Sequence, residues 1–197
     1  MPRRVPSPFS YGERAVIEPT VQPLYHGLVF NQAAPAQLRF FQGTAGLNEL
    51  LASPGLVTGG QLPNPKIFVV YGVRVHYTEF VRNESLVADL KVLLYNAWGR
   101  LFVGVKDYLV VPLFYLPSGL GISASGFDAT GVTTNTAATN GAPSFFNRMS
   151  IQKRRITLPP QQAFFFEINP VNIAATHLHQ NRLMWVFFDG EFGREVM

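Results

Sequence analysis

Two histidines form the best candidate for a metal site in the sequence. His177 and His179 are separated by one residue, Leu178, and alternate residues of a strand lie on the same face, so both imidazoles could reach one ion. A cupin-type metal site also needs a glutamate a little beyond the second histidine, at the places that Leu183 and Met184 occupy here. We therefore predict no metal ligands and no cofactor, and we expect both histidines in a loop or at a strand edge.

Other catalytic signatures are missing from the sequence. The chain has no cysteine, which excludes disulfides, thiolate metal sites and cysteine nucleophiles. It has no serine nucleophile elbow, no phosphate-binding loop with its lysine and no helical zinc-protease motif. The 12 acidic residues are scattered, so a two-carboxylate glycosidase would have to assemble from distant positions. We predict that the protein is not an enzyme and has no catalytic residue.

The net charge of +4 is concentrated in a few places. One block contains Arg148, Lys153, Arg154 and Arg155. Such a block could touch phosphates, although an ordinary solvated strand or loop also carries one. It lacks the interleaved aromatic residues of a platform for single-stranded nucleic acid. We expect any contact with a genome to be at most indirect.

The composition predicts an all-β protein with a weakly charged surface. Hydrophobic residues make up 47% of the chain and charged residues 14%, against about 25% charged in ordinary globular domains. The chain has 17 Phe, 7 Tyr and 2 Trp, and bulky aromatic side chains favour strands. Its 17 Gly and 15 Pro interrupt it too often for a helical bundle. No apolar secretory segment opens the sequence, and prolines interrupt its longest uncharged stretch, so we expect no membrane-spanning helix.

The pattern along the chain predicts an eight-stranded antiparallel jelly-roll sandwich with one or two short helices. The strands are expected at 28–30, 38–41, 67–80, 100–105, 108–116, 150–158, 163–168 and 182–189, with a turn or bulge at Lys106 and Asp107. Helices are expected at 44–52 and 83–98, the second capped by Ser85 and ended by Gly99 in a left-handed conformation; a strand over 90–95 is the alternative. Residues 1–24 form a proline-rich extended arm, and residues 25–197 form one domain with a long loop at about 117–148.

Two strands carry large apolar residues on both of their faces. In 164–166 and 184–188 successive residues are aromatic or apolar, whereas the outer face of an antiparallel sandwich should meet water. Something must therefore cover the outer face: the helix or the arm of the same chain, a second copy of the chain, or a lipid or other ligand. The sequence leaves these three covers open.

The order of these segments resembles the small jelly-roll capsid proteins of tailless icosahedral bacteriophages. Four stretches carry the resemblance: the entry into the first long strand, a central strand pair that ends in a Pro- and Gly-rich loop, a Pro-then-aromatic strand entry, and the final strand with its exit. They lie at 60–75, at 101–121, at 156–166, and at 182–190 with 194–196. The resemblance implies a shell-forming structural protein, often built around an internal lipid membrane, with no active site.

We therefore expect a major capsid subunit that assembles with copies of itself and with other capsid proteins. It would lie in the virion shell, and in the host cytoplasm before assembly. The expected assembly contacts are Arg3, Arg4, Phe9 and Tyr11 in the arm and Phe165, Trp185 and Phe187 on the strands. A minor or vertex capsid protein of the same fold is one alternative. A glycan-binding jelly-roll module is an alternative of another class.

Overall fold

The structure is a computed structural model. It describes residues 16–31, 33–42, 60–79, 86–116, 118, 123–125, 137–139, 149–151, 155–178 and 181–196. The elements found in these ranges are nearly all strands. The strands are β1 (Val16–Val21), β2 (Leu24–Phe30), β3 (Leu38–Phe40), β4 (Lys66–Glu79), β5 (Ala97–Val103), β6 (Lys106–Pro112), β7 (Ser123–Ser125), β8 (Ala137–Thr139), β9 (Met149–Ser150), β10 (Ile156–Leu158), β11 (Phe164–Pro170) and β12 (Arg182–Val196). One α-helix, α1 (Leu86–Tyr95), lies between β4 and β5.

The first sheet is built on the pairing of its two longest strands, β4 and β12. β2 pairs with the first half of β12 and β1 with the second half, along the edge of β12 that β4 leaves open. β10 and the short β9 pair with the opposite edge of β4. All of these pairings are antiparallel. Tyr71 is an extra residue in β4, because Asp189 lies opposite Gly72 while Gly190 lies opposite Val70.

The second sheet has the strand order β3, β11, β5, β6, and it is also antiparallel. Its inner face carries Phe164, Phe166 and Ile168 of β11, all buried. The Phe166 ring meets the Phe188 ring of the first sheet edge to face, with centroids 6.2 Å apart. The two sheets therefore enclose one apolar core, and the predicted all-β sandwich is confirmed.

The helix forms inside the predicted range, but β5 begins sooner than expected. Asn96 closes the last turn, since its backbone N–H donates to the carbonyl of Val92 at 3.0 Å. Strand β5 begins at Ala97, so the predicted continuation of the helix to residue 98 is wrong, and so is the alternative strand over 90–95. The expected left-handed helix end at Gly99 is also wrong. Gly99 is part of β5, where a Cβ atom would lie 2.5 Å from the Phe166 ring.

The turn between β5 and β6 lies two residues before its predicted position. The chain turns at Gly104, with φ of 63°, and at Val105, whereas Lys106 and Asp107 are already in β6. The bulge is at Tyr108, which is skipped between the pairs that join β5 to β6. A short 3-10 turn, Leu113–Tyr115, follows β6 where a strand to residue 116 was expected.

Several other boundaries differ from the sequence prediction. The predicted strand over 150–158 is divided between β9 and β10, and the final strand continues to Val196. Within the predicted arm, residues 16–21 form β1 on the edge of β12. The predicted helix over 44–52, Ser85 and residues 1–15 lie outside the described residues. Of the predicted loop at 117–148, the described part includes β7 and β8, which pair with each other.

A buried ion pair joins α1 to the start of β12. The side chains of Asp89 and Arg182 are fully buried, and the Arg182 Nε–H donates to Asp89 Oδ2 at 2.8 Å. Leu93 and Leu94 of the same helix pack into the core. A buried charge is tolerable only beside its partner, so this pair holds the helix in one position.

Asp89→Ala should lower the free energy of unfolding by about 3–5 kcal/mol, because it leaves a buried guanidinium without its carboxylate. Urea denaturation followed by tryptophan fluorescence measures the change. The double variant with Asp89→Leu and Arg182→Met should lose less stability than Asp89→Ala, because an apolar pair leaves no isolated charge. Equal losses in the single and the double variant would contradict this account.

His26 is a buried histidine of the core. The backbone N–H of Phe41 donates to His26 Nδ1 at 2.7 Å, which requires the neutral ring. Burial lowers the pKa of His26 from 6.5 to about 4. The neutral ring therefore contributes stability that is fully present above pH 6.5 and is lost as the pH falls towards 4.

We expect the free energy of unfolding to fall by about 2 kcal/mol between pH 7 and pH 5 through His26 alone. In His26→Asn the amide oxygen keeps an acceptor for Phe41 and does not titrate, so this part of the pH dependence should disappear. Urea denaturation of both proteins at pH 7, 6 and 5 makes the comparison. Identical pH dependence in the two proteins would show that His26 does not carry it.

Candidate interaction surfaces

The described residues expected to make assembly contacts lie on the outer faces of both sheets. Trp185 and Phe187 of β12 point away from the core, since Met184, Val186 and Phe188 between and beside them are buried in it. Phe165 is in the same position on the second sheet, between Phe164 and Phe166. All three predicted side chains are half-buried. Arg3, Arg4, Phe9 and Tyr11 lie outside the described residues.

The first-sheet cluster consists of Tyr25, Trp185 and Phe187. The ring centroid of Tyr25 lies 6.2 Å from that of Trp185 and 6.0 Å from that of Phe187. Trp185 and Phe187 are 6.3 Å apart and nearly parallel. The lack of a side chain at Gly27 makes room for the indole of Trp185, because a Cβ atom at Gly27 would lie 3.0 Å from the Trp185 ring. The sheet thus presents a continuous aromatic surface.

An arginine covers part of the first-sheet cluster. The Arg74 guanidinium lies 4.8 Å from the centroid of Phe187, within the range of a cation–π interaction. It also donates to Asp189 at 2.9 Å. Burial, and then the charge of Arg74, lower the pKa of the neighbouring His76. The positive charge at this surface is therefore balanced by Asp189 and not increased by histidine at neutral pH.

The second-sheet face consists of the outward side chains of β3, β11, β5 and β6. The Phe102 and Phe165 rings stack at 4.5 Å. Arg100 lies 4.0 Å from the centroid of Phe102 and 5.4 Å from that of Trp98. Arg39 covers Phe165 at 5.3 Å. Planar guanidinium groups therefore cover the rings on this face as well.

One buried carboxylate organises the second-sheet face. Glu167 accepts from Arg39 at 3.0 Å, from Arg100 at 2.9 Å and from Asn169 at 2.7 Å. Burial alone would raise the pKa of Glu167, but hydrogen bonds from Asn169 and Gln37 and the charge of Arg100 outweigh it and lower the pKa. The carboxylate stays ionised and fixes both arginines above the rings.

Charge on the second-sheet face is distributed between its edges. Arg39, on the edge strand β3, has a side chain that is 48% exposed. Asp107, on the opposite edge strand β6, is 44% exposed and only 3.9 Å from Arg100. Val110, beside Arg100 in the sheet, is 57% exposed on the same face. On this face the exposed charge at the β3 edge is basic and the one at the β6 edge is acidic, because Lys106 pairs with the inward Val103 and so belongs to the other face. An apolar residue, Val110, lies on the same β6 edge.

A third group, the end cluster, consists of Tyr95, Phe114 and Tyr115. Each side chain is at least half exposed. The Tyr95 and Phe114 rings are 5.9 Å apart at 35°, and the Phe114 and Tyr115 rings 6.1 Å apart at 62°. Rings tilted in this way do not form the flat platform on which a sugar ring stacks.

The described residues include only part of the candidate metal pair and of the basic block. Among the described residues, no group of three or more His, Asp or Glu could hold a metal ion. The backbone of His177 lies in a 3-10 turn and not in a strand, and His179 is outside the described part. Of the basic block, the structure describes Arg155, whose guanidinium lies 5.3 Å from the Tyr71 ring. No helix in the described ranges is long and apolar enough to cross a membrane.

Comparisons with protein-family models, with curated proteins and with solved structures find no match to this chain.

Sequence reasoning found the outward aromatic residues but missed what covers them. Glu167 is two residues from Phe165, so strand alternation alone places both on one face. The arginines come from two other strands, β3 and β5, and only the sheet register brings Arg39 and Arg100 opposite Glu167. The end cluster was missed because its residues belong to a helix end and a turn, where no period of two applies.

Glu167→Gln should lower the free energy of unfolding at pH 7 by about 1–3 kcal/mol, since charge-assisted hydrogen bonds are lost from a buried site. Because the pKa of Glu167 is lowered, the difference from the wild type should be largest above pH 4.5 and shrink as the pH falls further. Urea titrations at pH 7 and pH 3 measure it. Asp107→Asn is the control and should change stability by less than about 0.5 kcal/mol, because the group is exposed. A difference between Glu167→Gln and the wild type that stays constant with pH would contradict this role.

Proposed function

We propose that this chain is a major capsid subunit with a jelly-roll fold, which assembles with copies of itself into an icosahedral shell. The observation that carries the proposal is the aromatic surface on the outer faces of both sheets, which the described residues cover only in part. Monomeric proteins rarely leave large contiguous apolar patches exposed. Contact with further subunits would complete the cover.

The strand order supports the jelly-roll part of the proposal. One sheet contains β2, β12, β4 and β10 in that order, and the other contains β3, β11, β5 and β6. Consecutive strands therefore cross repeatedly from one sheet to the other. Two interlocked four-stranded sheets with these crossings are what a jelly roll of eight strands requires. The strands β1, β7, β8 and β9 are additions to that framework.

Assembly would be driven by apolar burial. Each Å² of apolar surface removed from water contributes about 25 cal/mol, and closed symmetry repeats the same contact on every subunit. The partly exposed rings of the first-sheet cluster, the second-sheet face and the end cluster supply that area. Other capsid proteins, and an internal lipid membrane, are further partners that fit such a surface.

Two other functions predict a different copy number per particle or a different oligomeric state. A minor or vertex protein of the same fold would be present in few copies per particle, whereas a major subunit would form most of the shell. A glycan-binding module would be a monomer that stacks sugars on exposed aromatic residues. The tilted rings of the end cluster favour a protein contact over a sugar platform.

Light scattering on a size-exclusion column, over a range of protein concentrations, tests the proposal. We expect oligomers whose mass grows with concentration, and closed particles by negative-stain electron microscopy. Added salt should weaken them little, because apolar contacts dominate. A strict monomer at millimolar concentration would exclude the capsid function, and binding of that monomer to a glycan array would establish the alternative.

A further inference from the structure

We infer that the second-sheet face is a two-fold contact between copies of this chain, in which Arg39 of each copy lies near Asp107 of the other. The inference rests on the proposed self-assembly and adds the surface, the symmetry and the residues that would determine it. It follows from three features of the face: its internal charge balance, the position of its exposed charges and its apolar edge.

The charges of this face are largely satisfied within the chain. Glu167 is bonded to both Arg39 and Arg100, and both guanidiniums also lie over aromatic rings. Excluding water from such a face leaves no isolated buried charge, which is the usual penalty for burying ions. A nucleic acid would instead require arginines free to neutralise phosphates. The chemistry of the face therefore fits a protein partner.

The exposed charges make the face complementary to itself. The strand order places Arg39 on the basic edge, β3, and Asp107 on the acidic edge, β6. When two copies pack face to face about an axis parallel to the strands, β3 of one copy lies over β6 of the other. The register then puts Arg39 two positions along the strand from Asp107 of the other copy, about 7 Å, which a long arginine side chain can span. A two-fold contact uses the same patch twice, so the Arg39–Asp107 attraction would occur twice.

The apolar part of the face would supply the remaining attraction. Trp98, Phe102 and Phe165 form the centre of the second-sheet face, and Val110 projects from the edge strand β6. Three strands about 23 Å long and the short β3 of about 10 Å, spaced about 4.8 Å apart, give a face of roughly 380 Å² per copy. Standard specific interfaces bury about 800 Å² per partner. We therefore expect a weak dimer that a closed shell would reinforce.

The first-sheet cluster does not have the same complementarity. Its ion pair, Arg74 with Asp189, lies on the adjacent inner strands β4 and β12, and both side chains are mostly buried. It therefore presents no separated basic and acidic edges to a second copy. Among the surfaces described above, the second-sheet face is the one where a two-fold axis brings a basic edge of one copy over an acidic edge of the other.

The first experiment introduces a positive charge at the β6 edge of the contact, where the register puts Val110 level with Arg39 of the other copy. Val110→Lys should weaken dimerisation at least tenfold in sedimentation velocity over a concentration series, because it places like charges opposite one another. Val105→Lys is the matched control: Val105 is 95% exposed in the β5–β6 turn, so it should dimerise like the wild type. Both substitutions alter exposed residues, and circular dichroism would confirm that both proteins fold. Equal dimerisation of both variants would overturn the inference.

The second experiment exchanges the charges at the two edges. Arg39→Glu alone and Asp107→Lys alone should each lose dimerisation, because each places like charges opposite one another. Mixed in equal amounts they should form a heterodimer. In that heterodimer the introduced carboxylate of one copy faces the introduced ammonium of the other, and the second edge contact keeps its natural Arg39–Asp107 pair. Recovery on mixing also shows that neither variant has failed to fold. Absence of recovery with two folded variants would contradict the two-fold arrangement.

These experiments separate the inference from the function on which it rests. If Val110→Lys still forms complete particles with unchanged stability, the coat function stands and the contact lies on another surface. If the wild-type chain is monomeric at every concentration, both the function and this interface fail.

Discussion

The alternation of side chains along a strand is the constraint on which the rest of this structure depends. A run of large apolar residues, such as the one through Trp185 to Phe188, cannot turn all of them inward, because neighbours point to opposite faces. About half of the side chains in such a run must therefore lie on the outside of the sandwich. The fold accommodates them by placing arginines over them, with Arg74 above Phe187 and Arg100 above Phe102.

Arginine suits this position because its guanidinium is planar and weakly hydrated, so it can stack on a ring and still donate hydrogen bonds at its edge. Each of these arginines has a carboxylate that fixes it: Asp189 for Arg74, and Glu167 for Arg100. Asp189 comes from the same strand as Phe187, β12, and Glu167 comes from β11, the strand that pairs with the strand of Phe102, β5. The rings, guanidiniums and carboxylates on each face therefore depend on one another for their placement.

Local pattern was enough to predict the all-β class, most strands and the outward placement of Phe165 and Trp185. It failed where a tertiary contact overrides local preference. Gly99 follows a helical stripe and looks like a helix end, yet it is a strand residue because the Phe166 ring occupies the space a side chain would need. The pairing of Asp89 with Arg182, 93 positions apart, and of Arg39 with Glu167 depends on topology, which no local period encodes.

The balance of positive and negative charge on the outer faces also affects how a shell of such subunits would form. A face with a strong net charge would repel its own copies and would need a counter-charged partner, whereas an apolar face without charges would associate in any orientation. The second-sheet face has an apolar centre with one exposed charge of each sign at opposite edges. The apolar centre supplies attraction and the two charges select an orientation, so contacts of this kind can stay weak individually and still be specific.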